Sequence, residues 1–156
     1  MTVGYLLDLL IINEVRKKKL GVTLEDSTKY DLKNQNGHLW REIGRYLLET
    51  ADGKRPGTFA KHKSYDEGVN EPIEENIIEI IYKLYQRHLE LWELEDVRRD
   101  KTKTDVSRLA AADKVSVVNK KRNDLVEQLD KNINGSLQTS NVDVRWQTSK
   151  LWSEVV

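Results

Sequence analysis

A chain of 156 residues is long enough to bury a hydrophobic core in one domain without disulfides or a structural metal. Lys+Arg and Asp+Glu both number 26, so a formal net charge of zero gives no global attraction to nucleic acid or to an anionic membrane. With 33% charged and 38% hydrophobic residues the profile suits long solvated helices more than a buried sheet, and the lack of cysteine excludes disulfide frameworks, thiolate metal sites and cysteine nucleophiles.

The opening MTVGYLLDLLII has no basic n-region and no small-residue cleavage site, and Asp8 interrupts its apolar run, which argues against a signal peptide. No stretch reaches the about 18 continuous apolar residues of a membrane span. A soluble, cytoplasmic protein with no membrane contact is expected. Leu6, Leu7, Leu10, Ile11 and Val15 recur at helical spacing over 3–20, and the run Arg16-Lys17-Lys18-Lys19 complements the dipole of a last turn before Gly21.

A second helix is expected from about 27 to 50, capped by Asp26 or Ser27, with Asn34-Gln35-Asn36-Gly37 as a candidate break. Residues 52–70 carry three of the eight glycines and no helical period. From Lys54 to Ser64 they hold four Lys/Arg, His62 and no acid, so this loop is either a surface connection or a cover for an anionic ligand.

Pro72 is placed to open a third helix running to about Arg99, and Thr104 or Asp105 to cap a fourth that stops at Asn134-Gly135. The short turn 100–103 makes these two antiparallel neighbours. Their charges agree: residues 71–100 carry nine acids against four bases, and 101–133 carry eight bases against five acids. The expected fold is all-α, a bundle of about four main helices with a long antiparallel hairpin (about 71–99 and 104–133). It forms one domain over 1–135, followed by a polar tail, 136–156, anchored by Trp146 and Trp152.

Polar groups interrupt the apolar faces of this hairpin. On helix three, Ile77, Ile81, Leu84, His88, Leu91 and Glu95 follow at three- and four-residue steps, and the adjoining row Ile78, Ile81, Tyr85, Leu89, Trp92 ends in Asp96, with Arg99 beyond it. On helix four, Val115, Val118, Arg122, Leu125 and Leu129 form one row, with Asn119 beside it. A lone buried carboxylate costs several kcal/mol unless paired. Two readings stay open: a buried network of Glu95 or Asp96 against Arg122 that fixes the register, or the lining of a pocket for a metal or small ligand. His88 reads as a hydrogen-bonded core histidine, and the tryptophans at 40, 92, 146 and 152 as core and interface anchors.

The segments LELWELEDVRRD and NKKRNDLVEQLD resemble an uncharacterised bacterial helical family, known as a domain of unknown function. Its members carry LW-x-x-ED-x-x-R and then N-x-x-R-x-D-(L/M)-(V/I)-E-x-(I/L)-D. The matching positions are Leu91, Trp92, Glu95, Asp96 and Arg99, then Asn119, Arg122, Asp124, Leu125, Val126, Glu127, Leu129 and Asp130. His88 and Ser116 stand where the family tends to have asparagine and aspartate. Members often lie near glycosyltransferases in surface-polysaccharide gene clusters, which implies sugar or sugar-nucleotide metabolism. A weaker similarity is to all-α nucleoside triphosphate pyrophosphohydrolases, whose E-x-x-E and E-x-x-D pairs hold Mg²⁺; here Glu71-x-x-Glu74 and Glu93-x-x-Asp96 supply the letters.

Three functions are therefore expected in order. The first is a homodimeric binding or interaction protein with a pocket for an anionic small molecule, a sugar phosphate or nucleotide. Glu95, Asp96, Asn119, Arg122 and Asp124 would line it, with Arg99 at the rim, because arginine gives bidentate contacts to phosphate or carboxylate. The second is an Mg²⁺-dependent phosphohydrolase using Glu93 and Asp96, with Glu75 and Glu79 from a neighbouring subunit. The third is a structural or regulatory protein–protein module. Nucleic acid comes last, and no nucleophile triad, phosphate loop or dinucleotide fingerprint is visible.

Overall fold

Local capping sets where each helix begins, and tertiary contacts decide how far it runs. In the computed structural model, which describes residues 1–54 and 71–139, helix α1 spans Val3–Leu20. Thr2 Oγ1 accepts from the Tyr5 N–H at 3.3 Å, and Gly21 ends the helix at φ 44°, a conformation that favours glycine. A 3₁₀ turn, Gly21–Thr23, leads to α2, Asp26–Ala51. Helix α3 spans Ile77–Arg99 and α4 spans Asp105–Thr139, with no strand among the described residues. The fold is an all-α helical bundle, as periodicity and composition predict.

Three boundaries differ from expectation. Helix α2 is continuous through Asn34–Gly37, because Asn36 bridges to α1: Asn13 Nδ2 donates to its Oδ1 at 2.8 Å, and its own Nδ2 donates to Glu14 Oε1 at 3.0 Å. Helix α3 starts five residues after Pro72. Asn76 is the cap, its Oδ1 accepting from Ile78 N at 2.9 Å and Glu79 N at 3.4 Å, while 71–76 run as a non-helical strap. Helix α4, capped by Thr104 Oγ1 on Ser107 N at 3.2 Å, does not stop at Asn134-Gly135. Leu137, a turn below Asn134, is buried, and that apolar burial outweighs the roughly 1 kcal/mol that an interior glycine costs. The expected tail thus begins inside α4, and 140–156, with Trp146 and Trp152, lie outside the described residues, as does most of the basic loop 52–70.

The chain divides into two compact units, one of residues 1–60 with 129–156 and one of 61–128. In the first, α1 and α2 are antiparallel and bury Val3, Leu6, Leu10, Ile43 and Tyr46, with Leu7, Leu39, Leu47 and Ile133 packed against them. The Gly4 N–H donates to Asp130 Oδ1 at 2.6 Å, so a buried carboxylate from α4 caps the first turn of α1. In the second, Ile80, Leu84 and His88 of α3 and Ala111, Val118, Leu125 and Val126 of α4 are buried.

Candidate functional site

The α3–α4 hairpin carries every site residue expected from the sequence, and its register decides which of them meet. Arg108 Nε donates to the Arg98 carbonyl at 3.0 Å near the turn, and Glu74 N donates to Gln128 Oε1 at 3.0 Å at the open end. Position 98 is therefore level with 108, and 74 with 128. Glu95 then sits level with the first buried turn of α4, and Arg122 lies about twelve residues further on, roughly 18 Å away along the axis at ~1.5 Å per residue.

The expected network of Glu95 or Asp96 with Arg122 is accordingly not formed. Glu95 Oε2 instead accepts from its own helix, from Arg98 Nε at 2.9 Å and Nη2 at 2.7 Å, with Arg99 Nε at 3.4 Å. Asp96, expected on or beside a buried face, is exposed, as is Arg99. On α4, Asn119 is half-buried, and half-buried Arg122 donates from Nη2 to Asn123 Oδ1 at 3.1 Å. Asp124 serves the main chain, its Oδ2 accepting from the Glu71 N–H at 3.2 Å. The six predicted residues fall into two groups, Glu95, Asp96 and Arg99 near the turn and Asn119, Arg122 and Asp124 towards the open end.

The open end is held by Glu71 and Glu74, read from the sequence only as letters of a metal motif, and by Arg87, Lys83 and Gln128, which the sequence did not single out. The Glu71 side chain, only 6% exposed, accepts from Arg87 Nε at 2.5 Å, and Arg87 Nη1 donates to Glu90 Oε2 at 2.8 Å. Gln128 Nε2 donates to the carbonyls of Glu71 at 3.5 Å and Pro72 at 3.3 Å. Lys83 Nζ reaches Glu74 Oε2 at 3.2 Å. Burial works against the charge on Arg87, but the hydrogen bonds it donates to Glu71 and Glu90 outweigh it and hold the guanidinium pKa above its usual value. The strap 71–76 is thus pinned to α3 by its carboxylates and to α4 by its backbone. No periodicity advertises this: Glu71 precedes a proline outside any helix, and its partners lie 16 and 53 positions away.

Two carboxylates make the hairpin sensitive to acid. Backbone N–H donation from Asn76, then Lys83, hold the Glu74 carboxyl below its ordinary 4.5. The Thr102 hydroxyl and N–H do the same for Asp100 at the turn, below 3.8. Both stabilise the fold fully above those ordinary values, and the contribution is lost as pH falls through the lower folded values. Thermal melts are expected to keep Tm level down to those values and to drop below them. Glu74→Gln should flatten that drop, and a drop of unchanged size in the variant would show that Glu74 does not cause it.

The metal reading needs two carboxylate pairs at one point. Glu71 and Glu74 are bound to Arg87 and Lys83, and α3 alone separates its start from Glu93 by roughly 24 Å. Among the described residues no group of three or more His, Asp or Glu side chains is placed to hold a metal ion.

Fold and site together define an all-α protein built on a strapped, charge-braced helical hairpin. Residues 78–154 match the family described as Protein of unknown function (DUF4254), in keeping with the resemblance to an uncharacterised family. That span takes in nearly all of α3 and the whole of α4. No curated protein and no solved structure matches the chain. No helix among the described residues is long and apolar enough to cross a membrane.

Proposed function

We propose that the chain is a helical interaction module that pairs with a second copy of itself through the outer stripe of α3. One observation carries this reading. Ile78 and Tyr82, one turn apart, are 75% and 57% exposed on the side of α3 opposite buried Ile80, Leu84 and His88. The same side continues into half-buried Tyr85, Leu89 and Trp92, so large apolar groups run along the helix as a stripe rather than as scattered residues. Burying Ile78 and Tyr82 would contribute about 1.5–3 kcal/mol each.

A second copy is the favoured partner because a stripe paired antiparallel with itself closes a two-fold interface. Zero net charge also leaves no long-range repulsion between copies. The same charge balance and the cysteine-free composition support a cytoplasmic location as part of this proposal. Sedimentation velocity is expected to show a dimer for the wild type, and a monomer with unchanged circular dichroism for Ile78→Asp with Tyr82→Asp. A double variant that sediments like the wild type would end the proposal.

The pocket reading for an anionic sugar phosphate or nucleotide draws less support. Its six residues form two separated groups, and Glu95 is occupied by Arg98 and Arg99. Arg122, half-buried on α4, is the residue on which it rests.

A further inference from the structure

The α1–α2 pair carries a feature of its own. A groove of about 550 Å³ runs between these helices, within the size range of small-molecule sites. Leu9, Ile12 and Leu39 give it an apolar floor, and Arg16, Asn34 and His38 are among its polar lining. Among the described residues no acid lines it.

Arg16 is the informative member. Its side chain is half-buried, and it makes no hydrogen bond or ion pair with any described residue. The acid two positions before it, Glu14, is already taken by Lys17 Nζ at 2.6 Å and by Asn36 Nδ2 at 3.0 Å. Asp31, the acid one turn before Asn34 and Gln35 on α2, is not part of the lining. A guanidinium partly withdrawn from water gains most from an anion that can accept two of its N–H groups. Asn34 and His38, one turn apart on α2, add further donors across the groove.

From this juxtaposition we infer that the α1–α2 groove binds an organic anion with an apolar body, the acid group on Arg16 and the body on Leu9, Ile12 and Leu39. The site is separate from the self-pairing stripe on α3, and neither depends on the other.

Octyl phosphate, below its micellar concentration, is the probe. Titrated into ¹⁵N-labelled protein, it is expected to give saturable shifts at the amides of Leu9, Ile12, His38 and Leu39. Inorganic phosphate and octyl glucoside should each bind more weakly, since one lacks the body and the other the charge. Arg16→Ala is expected to weaken octyl phosphate about tenfold or more, the scale of one charge-assisted contact, with Arg16→Lys in between. Three results would overturn the inference: no saturable shifts, octyl glucoside binding as tightly as octyl phosphate, or Arg16→Ala binding like the wild type while its circular dichroism is unchanged. The readout is made on amides of α1 and α2, so loss of dimerisation in the α3 variants would leave it intact.

Discussion

Arg87→Ala is expected to destabilise the protein by about 3 kcal/mol, because it leaves the carboxylate of Glu71 buried without its cation. For a chain of this size that is a fall in Tm of roughly 6–12 °C. The Glu71 side chain is 6% exposed and cannot simply turn to water without dragging the strap 71–76 off α3 and α4. The double variant Arg87→Ala with Glu71→Gln should therefore recover part of the loss, since a neutral amide is cheaper to bury than a lone charge. Chemical denaturation of the four proteins of this cycle measures the coupling directly. A single variant within about 0.5 kcal/mol of the wild type would mean that the pair contributes nothing net.

The second large effect is expected at Asp130. Its Oδ1 accepts the Gly4 N–H at 2.6 Å, and both residues are buried. Asp130→Ala strands that donor and removes a negative charge from the positive end of the α1 dipole, a loss of about 3 kcal/mol. Asp130→Asn keeps an acceptor oxygen and gives up the charge, so its loss should be nearer 1 kcal/mol. Amide exchange of the first turn of α1 should quicken in the alanine variant more than in the asparagine variant. Equal stability of the two variants would show that the charge, and not the acceptor, is what α1 uses.

Asp124 and Asp130 illustrate what the sequence made visible and what it hid. Both lie in the segment that resembles the uncharacterised family, where a polar residue among Leu125, Val126 and Leu129 reads naturally as chemistry. Instead each accepts a backbone N–H that a helix start or a strap leaves without an intrahelical partner. The helical period placed Leu84, His88, Val118, Leu125 and Leu129 on inward faces, and they are buried, but the adjoining row from Ile78 to Asp96 faces outward and Ile80 is buried in its stead. The period could not show how far along the hairpin two inward positions lie from each other. That distance comes from the turn at 100–104, which sets Glu95 and Arg122 about twelve residues apart.

Boundaries failed for a related reason. Asn76 outcompetes Pro72 as the start of α3, because a side-chain oxygen satisfies two N–H groups where proline only removes one. Asn36, a local signal for a break, is held in helix by its contact with α1, and Asn134-Gly135 by the burial of Leu137. The strap was invisible because its partners are remote in sequence, and Arg16 looked like one more cation in a solvated run until α2 was laid beside it.

A second copy seated on the stripe at Ile78 and Tyr82 would shield it from solvent, and the absence of cysteine allows that shielding to be measured directly. Tyr82→Cys and, as an exposed control outside α3, Val22→Cys each introduce a single thiol. Maleimide labelling rates are then followed across a range of protein concentration. Self-pairing through α3 predicts that labelling at position 82 slows as concentration rises while labelling at 22 stays constant. Equal, concentration-independent rates at both positions would contradict it.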